Sequence, residues 1–240
     1  MIGCRKRMRE RGKGMINILH CRYDIDAGWL RPALQKHIRP DMRVLVAAFA
    51  FRDSQVRCAE EWDGLYAPGG KYYGGITSSF AAYGIGEEQI DFLNYFTDTP
   101  VTAREKAECA DILYFPGGLP DRMYERLVEF DLVGVMKRHE GIVMGYSAGA
   151  LIQLGEYHLS PDKDYPEFGY YEGLGYLDGF YAEVHYEGTE IQHQAIRRVL
   201  VERNKPVYGL TDDSAIIVSD GRIEPVGPVQ IFLPEQQGGN

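Results

Sequence analysis

The sequence predicts an α/β fold: a mainly parallel β-sheet covered by helices on both faces, with an antiparallel C-terminal hairpin. Three observations predict it. Short apolar runs of strand length recur at 16–19, 44–49, 90–95, 112–115, 142–144, 207–210 and 215–218, several rich in β-branched residues. Helical patterns lie between them at about 26–38, 54–66, 76–84, 102–109, 121–138, 148–154 and 189–203, and strands alternating with helices imply parallel crossovers. Near the end, Gly221-Arg222 reads as a hairpin turn between 216–219 and 223–226, and 229–233 adds a further strand to this antiparallel tail.

Along the chain, residues 1–14 stand apart. Arg5, Lys6, Arg7, Arg9, Arg11 and Lys13 against Glu10 give this segment +5 in a chain of formal net charge −9. It lacks the apolar stretch of a secretory signal, and Met15 immediately precedes the first strand. It therefore reads as a disordered arm or upstream extension, with 15–240 as a single domain. The glycine-rich 64–75 region reads as a surface or active-site loop. After the 112–115 strand, Pro116-Gly117-Gly118 leads into the long helix, and a backbone free of side chains there can turn an N–H outward.

The most informative run is Gly141-Ile-Val-Met-Gly-Tyr-Ser-Ala-Gly-Ala150. It reads as a buried strand that delivers Ser147 onto a sharp turn before a helix, the G-x-S-x-G nucleophile elbow. Glycines at 145 and 149 suit a turn too crowded for side chains, and the helix start supplies N–H groups for a developing oxyanion. The stretch 155–180, with Pro161, Pro166, five glycines and five tyrosines, shows neither helical nor strand periodicity and reads as a loop.

A serine nucleophile needs a base and an acid that orients it. His20, His37, His139 and His193 read as surface or cap histidines, and His158, in the loop after the elbow, is a weaker rival. His185 differs, because it ends a strand just before a helix that begins near Thr189, where the active sites of open α/β sheets gather. The 207–210 strand then delivers Asp212 and Asp213, either of which could accept the histidine N–H. Strand exits bearing Gly-Gly, Ser, His and Asp together suggest acyl-transfer hydrolysis, with the N–H groups of Gly118 and Ala148 as the oxyanion hole.

Composition bounds the alternatives. With 240 residues, 45% of them hydrophobic, the chain can bury one full core. Its acidic balance argues against a nucleic-acid partner. No run of about 18 apolar residues occurs, so no membrane span is predicted. Cys4, Cys21, Cys58 and Cys109 are scattered without a CxxC pair, which suits a reducing, cytoplasmic setting better than a disulfide framework. No metal site is predicted, because no His/Asp/Glu cluster has ligand spacing. Phosphate-loop and dinucleotide motifs are also missing, so no cofactor is expected.

These motifs resemble the peptidase E (α-aspartyl dipeptidase) and cyanophycinase family of serine peptidases, whose fold is similar to class I glutamine amidotransferases and flavodoxin-like. The carriers are Phe115-Pro-Gly-Gly118, Gly145-Tyr-Ser-Ala-Gly-Ala150, Gly173-Leu-Gly-Tyr-Leu with His185-Tyr-Glu-Gly-Thr, and Gly209-Leu-Thr-Asp-Asp-Ser-Ala. The resemblance makes Ser147 the nucleophile, His185 the base and Asp212 the triad acid, where the dipeptidase carries glutamate. It also implies an important acid about fifteen residues after the serine. Asp162 is the nearest match, as a substrate contact or alternative acid, with Asp164 close by. Where the family often reads Gly-Gly-Gly-Asn-Thr, this chain has Pro116-Gly-Gly-Leu-Pro120, so specificity for aspartyl peptides does not carry over. Serine at 147 argues against the thiolate chemistry of amidotransferase glutaminases.

The expected function is thus a serine hydrolase that cuts a small peptide or an amide beside an acidic residue, with no nucleic-acid or membrane partner; homodimer formation stays open. The alternative is a non-catalytic ligand-binding protein of the same fold. An esterase shares the elbow, but its triad would run Ser, Asp, His rather than Ser, His, Asp.

Overall fold

Side chains of the central strands alternate between two apolar faces, as a sheet covered on both sides requires. In the computed structural model, which describes residues 14–235, β1 (Ile16–His20), β2 (Val44–Val46), β3 (Ile90–Phe92), β4 (Ile112–Phe115) and β5 (Ile142–Tyr146) form the parallel body of the sheet. Ile112 and Tyr114 of β4 face α1 (Arg31–Leu34), α2 (Ala59–Tyr66) and α3 (Tyr73–Ala81). Leu113 and Phe115 face α4 (Pro100–Cys109), α5 (Pro120–Glu129) and α6 (Val133–Lys137). Residues 1–13, nearly all of the basic segment, lie outside the described residues.

The remaining elements are α7 (Ala148–Leu151), β6 (Glu156–Leu159), β7 (Gly169–Glu172), β8 (Tyr181–Glu183), α8 (Glu190–Arg203), β9 (Val207–Leu210), β10 (Ala215–Ser219), β11 (Arg222–Val226) and β12 (Val229–Phe232). The main sheet has seven strands in the order β11-β10-β1-β5-β4-β2-β3. The hairpin β10–β11 lies antiparallel on its edge beside β1, as expected. Its turn is Asp220–Gly221, with φ of 48° and 72°, one residue earlier than the sequence suggested. That left-handed pair matches the twist of a two-residue hairpin.

Four expectations need correction. The strand at 229–233 leaves the main sheet: β12 pairs antiparallel with β9, which pairs parallel with β8 in a second sheet. The helix drawn over 121–138 is two helices, broken at Asp131, whose φ is 52°. Residues 155–180 are more than a loop, because β6 and β7 pair antiparallel with Tyr157 directly opposite Tyr171, their rings stacked at 5.7 Å. Aromatic cross-strand pairs stabilise such hairpins, yet the segment lacks the aliphatic alternation that marks a strand. Finally, among the described cysteines Cys21 and Cys58 are free thiols while Cys109 is disulfide-bonded. No described helix is long and apolar enough to cross a membrane.

The elbow glycines set how closely β5 and α7 approach β4. A Cβ at Gly145 would lie 2.5 Å from the Gly149 carbonyl oxygen and 2.6 Å from that of Phe115, and one at Gly149 only 1.8 Å from the Phe115 oxygen. Strand backbone cannot yield by that much without losing its ladder. Gly149→Ala should therefore lower unfolding free energy by about 3 kcal/mol or more. Gly64→Ala, in α2 with open space around its added Cβ, should raise it by about 0.5–1 kcal/mol. Urea denaturation of both variants checks the pair, and a well-tolerated Gly149→Ala would contradict the packing argument.

Candidate active site

Parallel pairing brings the strand exits to one level. His20 of β1 is in register with Tyr146 of β5, so the next residues, Cys21 and Ser147, leave the sheet side by side. In the second sheet Glu183 of β8 is in register with Gly209 of β9. Tyr186 N–H extends that pairing by donating to the Leu210 carbonyl at 2.8 Å. His185 and Asp212 therefore emerge from neighbouring parallel strands, and His185 Nδ1 lies 2.6 Å from Asp212 Oδ1. Asp212 is the carboxylate that meets the imidazole. Both side chains are about half exposed, at 46% and 52%.

Ser147 is held in a strained conformation, with φ 54° and ψ −115°, as an elbow requires. Its N–H donates to the His20 carbonyl at 2.9 Å. His185 is likewise left-handed, with φ 51°, and its backbone is clamped on both sides. Its N–H donates to Cys21 Sγ at 3.2 Å, and its carbonyl accepts from Gln192 Nε2 of α8 at 2.9 Å. The Cys21 thiol in turn donates to the Leu210 carbonyl at 3.2 Å. Burial pushes that thiol up to about 12, so it stays protonated and serves as a hydrogen-bonding clamp. Sequence reading missed Cys21; its position one residue beyond the first strand was the available signal. Among the described residues no hydrogen bond joins Ser147 Oγ to His185, and catalytic hydrogen bonds commonly tighten only with substrate bound.

The Gly-Gly loop lies against the elbow. A Cβ at Gly117 would lie 2.6 Å from the Tyr146 ring and 3.4 Å from Ser147 Cβ. Gly118 has φ 137°, and its Cβ would lie 2.1 Å from the Ala50 carbonyl oxygen, so only glycine fits. Among the described residues, the N–H groups of Gly118 and Ala148 enter no backbone hydrogen bond outside regular elements.

The other candidates are engaged elsewhere. His158 is fully buried, with Nε2 2.7 Å from Glu183 Oε2, and Ser160 also donates to Glu183. His193 Nε2 lies 2.7 Å from the Tyr186 hydroxyl. Asp162 Oδ1 accepts the N–H groups of Asp164 and Tyr165 at 2.8 and 2.7 Å, closing its own loop. Asp164 pairs with Arg52, whose guanidinium holds that carboxyl below its usual range. Arg52, Asp164, Tyr165, Leu119, Asp121 and Arg122 line a cavity of about 330 Å³ next to the Gly-Gly loop.

The family model of peptidase family S51 matches residues 70–226, a span that holds the Gly-Gly loop, the elbow, His185 and Asp212. The chain belongs to peptidase family S51. It is therefore a serine-type peptidase. Among solved structures, a proposed peptidase E protein from Listeria monocytogenes EGD-e superimposes with a TM-score of 0.61 at 14% identity, covering 88% of this chain and 98% of that one. A peptidase from an acI-B1 actinobacterium gives a TM-score of 0.58 at 15% identity, covering 92% and 98%. At such identities the likeness concerns the fold. A search of curated proteins found no match.

Beneath the elbow of this S51 peptidase, His20 was expected on the surface but is buried, its ring centroid 6.2 Å from that of Tyr146 and 6.4 Å from that of Tyr114. Nδ1 lies 2.5 Å from the Arg22 carbonyl. Burial pushes the imidazole down from 6.5 to about 4, outweighing that hydrogen bond. Between those values the unfolded chain binds a proton that the folded protein refuses. Its stability contribution is complete above pH 6.5 and is lost as pH falls towards 4, by about 3 kcal/mol for a shift of this size. Denaturation at a series of pH values should show a shallower acid decline for His20→Phe than for wild type. Equal slopes would mean that His20 is not held neutral.

Proposed function

We propose that Ser147, His185 and Asp212 act as a catalytic triad that hydrolyses small peptides or amides through an acyl-enzyme. The observation that carries this reading is the 2.6 Å hydrogen bond between His185 Nδ1 and Asp212 Oδ1. With the proton on Nδ1 facing the carboxylate, Nε2 keeps a lone pair for the serine. Ser147 Oγ attacks the scissile carbonyl carbon while Nε2 takes its proton. The carbonyl oxygen becomes an oxyanion met by the N–H groups of Gly118 and Ala148. The imidazolium, offset by Asp212, then protonates the leaving amine as the C–N bond breaks. Water activated by the same imidazole cleaves the ester and restores Ser147.

For the substrate, the open cavity beside Leu119, lined by Arg52, Asp121, Arg122 and Asp164, is the place where a substrate side chain would sit. An acidic residue at the scissile bond would find Arg52 there, in competition with Asp164. Arg52→Gln should accordingly raise KM for acidic dipeptides with little change for neutral ones.

Steady-state turnover of a dipeptide library tests the triad. Ser147→Ala should lower kcat by about 10⁴-fold or more, His185→Ala by a similar factor, and the double variant no further, because the two act as a unit. Asp212→Asn should lower kcat by about 10⁴-fold through the wrong tautomer, while Asp162→Asn should act mainly on KM. A collapse of kcat in Asp162→Asn with Asp212→Asn near wild type would reverse the assignment of the acid.

A further inference from the structure

We propose that Cys21, His185 and Asp212 form an inhibitory zinc(II) site, in which the ion takes the Cys21 sulfur, the His185 Nδ1 and an Asp212 carboxylate oxygen. The inference rests on the reading of His185 as the catalytic base and adds a control on that base.

One ligand atom from each residue lies within 4.8 Å of the other two. Thiolate, imidazole and carboxylate are the donor types of zinc sites, and three protein ligands leave a fourth tetrahedral position for water. Bonds of about 2.0–2.3 Å place the donors of a tetrahedral ion roughly 3.3–3.8 Å apart. The 2.6 Å contact between His185 and Asp212 must therefore open. Both side chains are about half exposed and can move, while Cys21 is buried beneath them and fixed by two backbone partners. The His185 N–H that already donates to Sγ would remain as support for a thiolate, the kind of outer hydrogen bond that orients metal ligands. The three donors leave three different strands, separated by 164 and 27 residues. No local spacing could reveal them, which is why the sequence predicted no metal.

The proton balance shows how the ion would inhibit. On binding, the Cys21 thiol releases its proton to solvent and Asp212 stays ionised. His185 remains neutral, but its single proton moves from Nδ1, now on the metal, to Nε2. An Nε2 that carries hydrogen has no lone pair for the Ser147 hydroxyl, so the base is lost while nucleophile and oxyanion donors are untouched. Magnesium(II), which prefers oxygen ligands, should not substitute.

Cobalt(II) serves as the spectroscopic probe, added to the full-length Ser147→Ala protein, which retains all three ligands. The expected result is a thiolate-to-cobalt charge-transfer band with tetrahedral visible bands, displaced by zinc and retained when Cys58→Ser is added. Cys21→Ser should abolish the charge-transfer band. His185→Ala, at an exposed side chain, should weaken cobalt binding at least tenfold without disturbing the buried thiol. In turnover assays zinc should inhibit wild type reversibly, with EDTA restoring activity, and Cys21→Ser should need at least tenfold more zinc. A band that persists in Cys21→Ser, no band in Ser147→Ala at saturating cobalt, or equal zinc sensitivity of Cys21→Ser would overturn the site. Because the spectroscopy needs no turnover, an inactive wild type that still binds cobalt through Cys21 would count against the triad alone.

Discussion

The carbonyl of His20 and the thiol of Cys21, neighbours at the end of β1, receive the backbone N–H groups of Ser147 and His185 at 2.9 and 3.2 Å. The same thiol reaches the Leu210 carbonyl, two residues before Asp212. One short strand exit thus ties the elbow of the main sheet to both strands of the second sheet that carry the imidazole and the carboxylate. Two left-handed, non-glycine backbones, at Ser147 and His185, each cost about 1–3 kcal/mol and persist only where the surroundings over-determine them. Here the surroundings are these hydrogen bonds, the Gln192 contact to His185 and the glycine approaches to Phe115. The backbone at Ser147 and His185 is fixed because its strain is held from several directions.

Legibility in the sequence followed the range of the interaction. The elbow was readable because Gly145, Ser147 and Gly149 sit within five residues, and their constraint is local crowding. The Gly-Gly loop was readable for the same reason. His185 and Asp212 were placed at strand exits by pattern, but their meeting depends on the parallel register of β8 with β9, which no local spacing encodes. Cys21 was invisible as a clamp because both its partners are distant in sequence. The β6–β7 hairpin was missed because tyrosines opposite one another stabilise it where aliphatic alternation was sought.

Charge around the site bears on what the enzyme accepts. The cavity beside the Gly-Gly loop brings Arg52 and Arg122 together with Asp53, Asp121 and Asp164, so each cation already has a carboxylate partner. Leu119 and Pro120 stand where the related motif offers Asn and Thr. On the proposed reading, a substrate carboxylate would exchange with an internal one, so discrimination at this cavity would be a small difference between two ion pairs rather than the capture of a free cation.

The claim that the fold activates one serine through one histidine is tested most directly by covalent labelling. Wild-type protein treated with a fluorophosphonate and followed by intact mass should gain a single adduct, which peptide mapping places on Ser147, and His185→Ala should label more slowly by several orders of magnitude. Labelling at another residue, or at Ser147 with an unchanged rate in His185→Ala, would contradict the account.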